Sequence, residues 1–356
     1  MLRILHCITH DKFTIGYITF MKEYVKGYEH IFLLSEYNCG HEDIKDRLRG
    51  FEGINYYRSG KELAFGGKIR KILKIADKII ISGVFGIEKY AFFWPYKTYM
   101  KVYLHYWGGD FYQLRDEVLK KDFRSKYSRY ALIRLMKKSY GAIFLIPGEN
   151  DFFESITGIV KRNVYVAAMP VERIDYNKFR GKLPGKTINI VLGNSATKEN
   201  MHKDMIERFV HLKNENIRLY CPLSYGDKEY STEIVEYGKK LLGDKFCPLL
   251  SWMSAEEYYS FLSSCDVGVF NCNRQQGMGN IIALLSMGKK VYMRNDTSMY
   301  RYFTESGFKC YSISLLDEAN YDELRFFPER EHNEVISDTF NTYEKIREQW
   351  VKILEE

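Results

Sequence analysis

Short apolar segments alternate with longer amphipathic segments along almost the whole of this 356-residue chain. Two of them, 78–82 (KIIIS) and 188–192 (INIVL), are apolar at most positions, so both faces of such a strand are buried. Strands of this kind, separated by helices, pair in parallel with helices on both sides of the sheet. The sequence therefore predicts an α/β protein with doubly wound parallel sheets. The predicted strands are 2–8, 30–35, 54–57, 78–82, 101–106, 142–146 and 163–167 in the first half, and 188–192, 217–221, 266–270 and 290–293 in the second.

One polar segment interrupts this alternation. Residues 170–186 lack an apolar period and hold two of the seven prolines, so we predict a linker there. On either side of it we expect a Rossmann-like domain, at 1–170 and at 187–335, followed by a closing helix at 336–356. Two such domains in one chain predict a GT-B architecture, in which two doubly wound sheets face a cleft and ligands lie at the carboxyl ends of the strands.

The composition favours a globular protein of the cytoplasm. Hydrophobic residues make up 46% of the chain and charged residues 28%. No apolar run reaches the roughly 18–20 residues that a membrane-spanning helix needs, so any membrane contact is expected to be peripheral. Seven cysteines without a C-x-x-C pair predict reduced, mostly buried thiols rather than disulfides or a zinc site.

Residues 120–138 concentrate the positive charge of the protein. They contain eight Lys or Arg and one Asp, which equals the formal net charge of +7 of the whole chain. Because aromatic and aliphatic residues are interleaved with these cations, the segment predicts a helix that lies on an anionic membrane surface. A solvated outer helix is the alternative, and without a nucleic-acid-binding motif we expect no nucleic-acid partner. The residues expected at the membrane or acceptor are Lys120, Lys121, Arg124, Lys126 and Arg129.

Loops after three predicted strands of the second half carry glycines and hydrogen-bonding side chains. In 265–280 (CDVGVFNCNRQQGMGN) a buried strand leads through a glycine-containing turn into a helix. Free backbone N–H groups and the helix dipole at such a helix start attract phosphate. Ordinary turn formation explains each loop separately, but three such loops at one sheet edge favour a nucleotide site. The predicted donor-binding residues are Gly193, Asn194, Ser195, Tyr225, Arg274, Gln275, Gln276, Gly277, Gly279 and Asn280.

In the first half, the segment 105–112 (HYWGGDFY) follows a predicted strand and leads into the basic helix. Asp110 is the first candidate for a general base that acts on an acceptor hydroxyl. The alternative is a helix N-cap, worth about 1 kcal/mol. Asp11, at the end of the first strand, is the second candidate, and His105 and His10 are weaker ones.

Several motifs are missing from the sequence. There is no D-x-D pair to bridge a metal and a pyrophosphate, so no metal site is expected. No G-x-G-x-x-G follows the first strand, so no nicotinamide or flavin cofactor is expected. There is no P-loop or G-x-S-x-G either. Helix dipoles, backbone N–H groups and cations such as Arg274 or Lys198 would then stabilise a departing nucleotide.

Together, HYWGGDFYQL, LGNS and FNCNRQQGMGNIIALLSMGKKV resemble the motifs of glycosyltransferase family 56, the bacterial TDP-N-acetylfucosamine:lipid II N-acetylfucosaminyltransferases. That family typically shows an H-x-W-G-x-D-x-Y element, a V-G-N-S loop and an R-Q-Q-G-x-G helix start. The order and spacing match here at 105–112, 192–195 and 274–279, and Asp11 falls where the family has an Asp. Segments 171–186 and 224–245, where the base and sugar would be contacted, depart from the family pattern.

The resemblance implies a metal-independent GT-B glycosyltransferase whose second domain binds a dTDP-sugar and whose first domain faces the acceptor and the membrane. It would transfer a deoxyamino sugar, N-acetylfucosamine, onto a polyprenyl-diphosphate-linked glycan in bacterial surface polysaccharide synthesis. Such an enzyme would sit peripherally on the cytoplasmic face of the plasma membrane, on anionic lipid. Two alternatives are a GT-B-shaped nucleotide-sugar epimerase or hydrolase, and a non-enzymatic peripheral membrane protein.

Overall fold

The computed structural model describes residues 1–8, 13–36, 46–115, 123–171 and 174–356. This part of the chain divides into two compact units. The first unit comprises Met1–Arg173 together with Asn341–Glu356, and the second comprises Ile174–Phe340. Each unit contains one parallel sheet. In the described ranges, no helix is both long and apolar enough to cross a membrane.

The first unit contains seven parallel strands: β1 Arg3–Ile8, β2 Glu29–Ser35, β3 Ile54–Tyr57, β4 Lys78–Ser82, β5 Val102–Tyr106, β6 Gly141–Phe144 and β7 Asn163–Val166. Their order in the sheet is β3-β2-β1-β4-β5-β6-β7. The strand order reverses between β1 and β4, which makes the sheet doubly wound, as predicted. Neighbouring residues of one strand belong to different apolar clusters: Ile79 and Ile81 pack on one face of the sheet, and Ile80 packs on the other. All seven strands predicted for this half of the chain are confirmed.

Helices cover both faces of this sheet. The basic helix, Phe123–Lys138, packs its apolar residues Leu132, Leu135 and Met136 into the core of the unit. Two short helices, Glu88–Ala91 and Tyr96–Tyr99, lie on either side of Pro95, because proline cannot donate the hydrogen bond that would continue a helix. The described helices are Thr14–Tyr24, Gly60–Phe65, Gly67–Ile75, Glu88–Ala91, Tyr96–Tyr99, Gly109–Tyr112, Phe123–Lys138, Glu149–Thr157 and Tyr343–Glu355.

The second unit contains six parallel strands: β8 Ile188–Leu192, β9 Ile217–Pro222, β10 Phe246–Leu249, β11 Val267–Phe270, β12 Lys290–Met293 and β13 Tyr311–Ser312. Their order in the sheet is β10-β9-β8-β11-β12-β13. The four strands predicted here are confirmed. The sequence missed β10, an edge strand that contains Pro248, and β13, which has two residues.

Seven α-helices and short 3₁₀ turns are described around this second sheet. One of them, Tyr321–Arg325, is short and contains three charged residues. It begins at a capping box formed by Asn320 and Glu323. The α-helices are His202–Arg208, Lys228–Leu242, Ala255–Ser264, Met278–Ser286, Ser298–Glu305, Tyr321–Arg325 and Arg330–Thr339.

The closing helix predicted at 336–356 is two helices. Arg330–Thr339 belongs to the second unit, and Tyr343–Glu355 belongs to the first. Between them Asn341 has a φ of 45°, a left-handed conformation that breaks the helix. The last helix buries Trp350 in the first unit, where its indole N–H donates to the Ala168 carbonyl over 3.2 Å.

Candidate donor site and acceptor-side carboxylate

A polar cluster joins the loops that follow β8 and β11. The side-chain amide nitrogen of Gln276 lies 3.0 Å from Asn194 Oδ1, 3.1 Å from Ser195 Oγ and 2.9 Å from Thr197 Oγ1. We call Asn194, Ser195, Thr197 and Gln276 the Gln276 cluster. The other amide oxygen, Gln276 Oε1, is buried and has no hydrogen-bond partner in the described part of the chain. It is an acceptor available to a ligand hydroxyl.

Gly193 lets the first loop of this cluster turn. Its φ is +64°, and a Cβ there would lie 2.8 Å from Asn200 Oδ1 and 2.9 Å from His202 Nε2. Asn200 in turn donates to the Ser195 carbonyl over 2.9 Å and to Thr197 Oγ1 over 3.0 Å. Only glycine fits at this position without displacing the side chains that hold the loop.

His202 is a neutral support of the same loop. Its Nδ1 lies 3.2 Å from the Tyr230 hydroxyl, and burial lowers the pKa of the imidazole to about 4. Desolvation disfavours the charged form, so the ring carries no charge at neutral pH.

The helix Met278–Ser286 begins at Gly277, which has a φ of 71°. No side chain caps this helix start, so its first backbone N–H groups remain available. Gly279, in the first turn, has open space within 4 Å of where a Cβ would be. Nothing described in the protein therefore requires a glycine there, whereas close approach of a ligand to the backbone would require one. Asn280 donates to the Tyr258 hydroxyl over 2.7 Å.

Arg274 and Gln275 lie beside the Gln276 cluster and are largely held by the protein. The Arg274 guanidinium is 3.8 Å from the Glu199 carboxylate and donates to the Gln275 carbonyl over 3.3 Å. The Gln275 side chain is buried. Arg274 is thus a partly neutralised cation at the edge of the cluster rather than a free one.

Tyr225 joins the cluster from the loop after β9, because its hydroxyl accepts a hydrogen bond from Asn194 Nδ2 over 3.2 Å. Its ring meets Trp252 edge to face, with centroids 6.1 Å apart. Both rings are open to solvent, with 45% of Tyr225 and 63% of Trp252 exposed. Sequence reasoning missed Trp252 because it follows β10, the strand that was not predicted. An exposed tryptophan beside a polar loop would have been the signal.

In the first unit, Asp110 is fully buried in the short helix Gly109–Tyr112, not at the start of the basic helix. Its Oδ2 accepts the backbone N–H of Trp107 over 3.0 Å and that of Val84 over 3.3 Å. The N-cap of the short helix is Gly108, so the expected alternative role as a cap does not apply. Burial raises the pKa of the carboxyl to about 6. Asp110 Oδ1 has no hydrogen-bond partner in the described residues.

His105 lies inside the core of the first unit. Its Nδ1 is 2.9 Å from Ser82 Oγ, and its ring packs edge-on against Trp350 with centroids 5.1 Å apart. Burial lowers the pKa of the imidazole to about 3, so the ring is neutral. Trp107 Nε1 donates to the same Ser82 hydroxyl over 3.2 Å, and the Trp107 ring meets Phe85 at the carboxyl edge of the sheet.

Of the predicted membrane-contacting residues, Arg124 and Lys126 are exposed on the basic helix. Arg129 is half-buried and donates to the Leu114 carbonyl over 2.7 Å. Asp11, His10, Lys120 and Lys121 lie outside the described residues. Within those residues, no group of three or more His, Cys, Asp or Glu is placed to hold a metal ion.

Solved glycosyltransferases share this fold along the whole chain. HepE of Anabaena, solved with UDP-glucose, is 13% identical and matches with a TM-score of 0.67 over 100% of both chains. A glycosyltransferase from Rickettsia africae gives 0.68 at 12% identity, covering 99% of this chain and 97% of that one. WaaG, a glycosyltransferase involved in lipopolysaccharide biosynthesis, gives 0.59 at 12% identity, covering 98% and 99%. The predicted GT-B fold, with two Rossmann-like parallel sheets, is confirmed.

The family model of the 4-alpha-L-fucosyltransferases, glycosyl transferase group 56, matches residues 77–325. This range includes the Gln276 cluster and Asp110. The chain belongs to that family, as the motifs predicted, and it is a glycosyltransferase.

Proposed function

We propose that this protein transfers a deoxyamino sugar, N-acetylfucosamine, from dTDP to a polyprenyl-diphosphate-linked glycan. The Gln276 cluster is the observation that carries the proposal, since it gathers polar groups from two loops at the carboxyl edge of one parallel sheet. The fucosyltransferase description of the family supports a fucose-type sugar, and the UDP-glucose bound by the HepE structure supports a nucleotide-diphosphate donor.

In the proposed donor site, the diphosphate lies at the start of the helix Met278–Ser286. The N–H groups after Gly277 and the positive end of the helix dipole would stabilise the phosphate charge, and Arg274 would add a cation. Gln276 Oε1 would accept a hydroxyl of the sugar. The open rings of Tyr225 and Trp252 suit stacking on the base. The full set is Gly193, Asn194, Ser195, Tyr225, Trp252, Arg274, Gln275, Gln276, Gly277, Gly279 and Asn280.

Asp110 is the proposed acceptor-side carboxylate. An acceptor hydroxyl forms a bond from its oxygen to the anomeric carbon, and the bond from that carbon to the nucleoside diphosphate breaks. The leaving diphosphate takes the electron pair, and the acceptor's proton passes to the carboxylate. A pKa of about 6 leaves Asp110 mostly ionised at neutral pH yet basic enough to take a proton. Asp11 and His105 remain the other candidates.

We place this reaction at the inner face of the plasma membrane, in the synthesis of a bacterial surface polysaccharide similar to enterobacterial common antigen. A polyprenyl-diphosphate acceptor is embedded in the bilayer, so the enzyme has to meet it there. The exposed cations Arg124 and Lys126 of the basic helix support contact with anionic lipid.

Two measurements test the proposal. Thermal stability in the presence of TDP, UDP, GDP or CMP should rise most with TDP, because a ligand that binds only the folded state stabilises it. Sugar transfer should then require both a dTDP-sugar and a polyprenyl-diphosphate acceptor. If another nucleotide stabilises the protein more than TDP does, the donor carries that nucleotide instead. If the dTDP-sugar is consumed equally fast without the acceptor, the protein is not a transferase, and hydrolysis or epimerisation is favoured.

A further inference from the structure

Aromatic side chains are exposed together on one face of the first unit. Phe65 and Phe93 are each 46% exposed, and their ring centroids are 5.0 Å apart. Phe92 continues the contact, with its ring 5.3 Å from Phe93 and 5.9 Å from Tyr130. Three packed elements therefore contribute: the helix Gly60–Phe65, the segment 88–99 and the basic helix. A soluble surface gains nothing from clustering large apolar rings in this way.

Cations surround these rings. The Arg70 guanidinium lies 5.9 Å from the Phe65 ring centroid, and the Lys138 ammonium lies 5.5 Å from that of Tyr96. We call this surface the aromatic–basic face, formed by Phe65, Arg70, Phe93, Tyr96, Tyr130 and Lys138.

The segments that form this face are strongly cationic. Residues 60–75, 88–99 and 123–138 contain thirteen Lys or Arg and two Glu, which gives a net charge of +11 against +7 for the whole chain. This total already counts both Glu residues: Glu88 is buried and accepts the Gly86 N–H, and Glu62 accepts the Arg58 N–H. Ten of the thirteen cations are exposed, so the excess of positive charge lies on the outside.

We infer that the aromatic–basic face docks on an anionic lipid bilayer, with Phe65, Phe93 and Tyr96 entering the headgroup region. This inference rests on the membrane placement in the proposed function and changes its chemistry. The aliphatic residues of the basic helix, such as Leu132 and Leu135, pack into the core of the unit, and the helix exposes the rings of Phe123 and Tyr130 among its cations. The two other elements add the rings of Phe65, Phe93 and Tyr96. Aromatic rings favour the membrane interface, and the surrounding cations are attracted to anionic headgroups.

The positive charge of the aromatic–basic face favours an anionic bilayer over the other partners that could cover an apolar surface. A second copy of this chain would bring two faces of the same sign together, and their repulsion opposes a dimer through this surface. An acidic protein would satisfy the cations but does not require a row of exposed phenyl and phenol rings. Only an anionic membrane offers both an apolar interior for the rings and negative charge around them.

Sedimentation of the full chain with lipid vesicles tests the inference. We expect binding to phosphatidylglycerol vesicles and little binding to phosphatidylcholine vesicles. Replacing Phe65→Ser together with Phe93→Ser should lower the partition coefficient about tenfold, because the apolar contact is lost. Phe65→Tyr with Phe93→Tyr keeps interfacial rings and should bind near the wild-type level, which separates ring chemistry from a folding defect. Phe326→Ser, an exposed ring of the second unit, is the matched control and should change nothing.

Charge-reversal variants test the electrostatic part of the binding in the same vesicle assay. Arg124→Glu with Lys126→Glu should weaken binding at low salt and flatten its salt dependence. Lys239→Glu with Lys240→Glu, on an exposed helix of the second unit, should not.

Unchanged vesicle binding of the Phe65→Ser, Phe93→Ser protein would overturn the inference, as would equal binding to neutral vesicles or tighter binding to a short RNA. The vesicle assay contains neither donor nor acceptor. Nucleotide-induced stabilisation, measured on the same proteins, therefore reports separately on the proposed transferase function. Its presence without vesicle binding would reject the docking face alone.

Discussion

The substitution Gly279→Ala distinguishes a ligand-binding role of this helix start from a purely structural one, because nothing described in the protein requires a glycine at this position. It lies in the first turn of the helix Met278–Ser286, exposed, with open space where a Cβ would be. Replacing a helical glycine with alanine is worth up to about 1 kcal/mol of stability. For a unit of this size, that corresponds to a rise of roughly 2–4 °C in thermal midpoint.

When a diphosphate is bound at this helix start, the same substitution becomes unfavourable. If a phosphate oxygen accepts a backbone N–H at this helix start, a methyl group on residue 279 pushes it away. Loss of one charge-assisted hydrogen bond costs about 1.5–3 kcal/mol, roughly a ten- to hundredfold weaker affinity. Gly279→Ala should therefore be more stable than wild type when free, and less stabilised by the nucleoside diphosphate.

The assay is a thermal-unfolding titration with TDP, repeated by calorimetry for the dissociation constant. Gly67→Ala is the matched control, since Gly67 is also exposed in the first turn of a helix with open space around its Cβ position, but lies in the first unit. It should gain similar stability and leave nucleotide affinity unchanged. If Gly279→Ala binds TDP as tightly as wild type, the diphosphate does not lie at this helix start.

Three further expectations concern other residues. Asp110→Asn should lower the rate of sugar transfer at least a hundredfold and leave nucleotide affinity unchanged. The wild-type kcat/KM should rise with pH through about 6 as the carboxyl ionises. Transfer by the variant near the wild-type rate would show that Asp110 is not the base. Trp252→Ala should weaken nucleotide binding about five- to hundredfold without lowering stability, because the ring is exposed, whereas unchanged affinity would separate Trp252 from the base. The imidazole of His202 has a pKa lowered from 6.5 to about 4, so its contribution to stability is full above pH 6.5 and is lost as the pH falls toward 4. Between pH 7 and pH 5, the free energy of unfolding should therefore fall by about 2 kcal/mol less in His202→Gln than in wild type. An equal decrease in both proteins would contradict a neutral buried ring.

Local sequence patterns predicted most of the strands of this fold. Strands such as 78–82 and 188–192 are readable because a buried parallel strand is apolar on both faces, and both have the predicted bounds in the structure. β10 and β13 were not readable, since a strand with a proline at a sheet edge, or of only two residues, leaves no periodic pattern. The break at Asn341 was equally hidden, because helical periodicity continues on both sides of one left-handed residue.

The sequence by itself determined the class of fold, the family and the polar loops, because periodicity, glycine-containing turns and motif spacing are local properties of the chain. Only the tertiary structure decided which side chains meet. It placed Gln276 on Asn194 and Ser195, put Trp252 beside Tyr225, and buried Asp110. These contacts depend on the order of strands in a sheet, which brings together residues up to 82 positions apart, and no local pattern encodes that order.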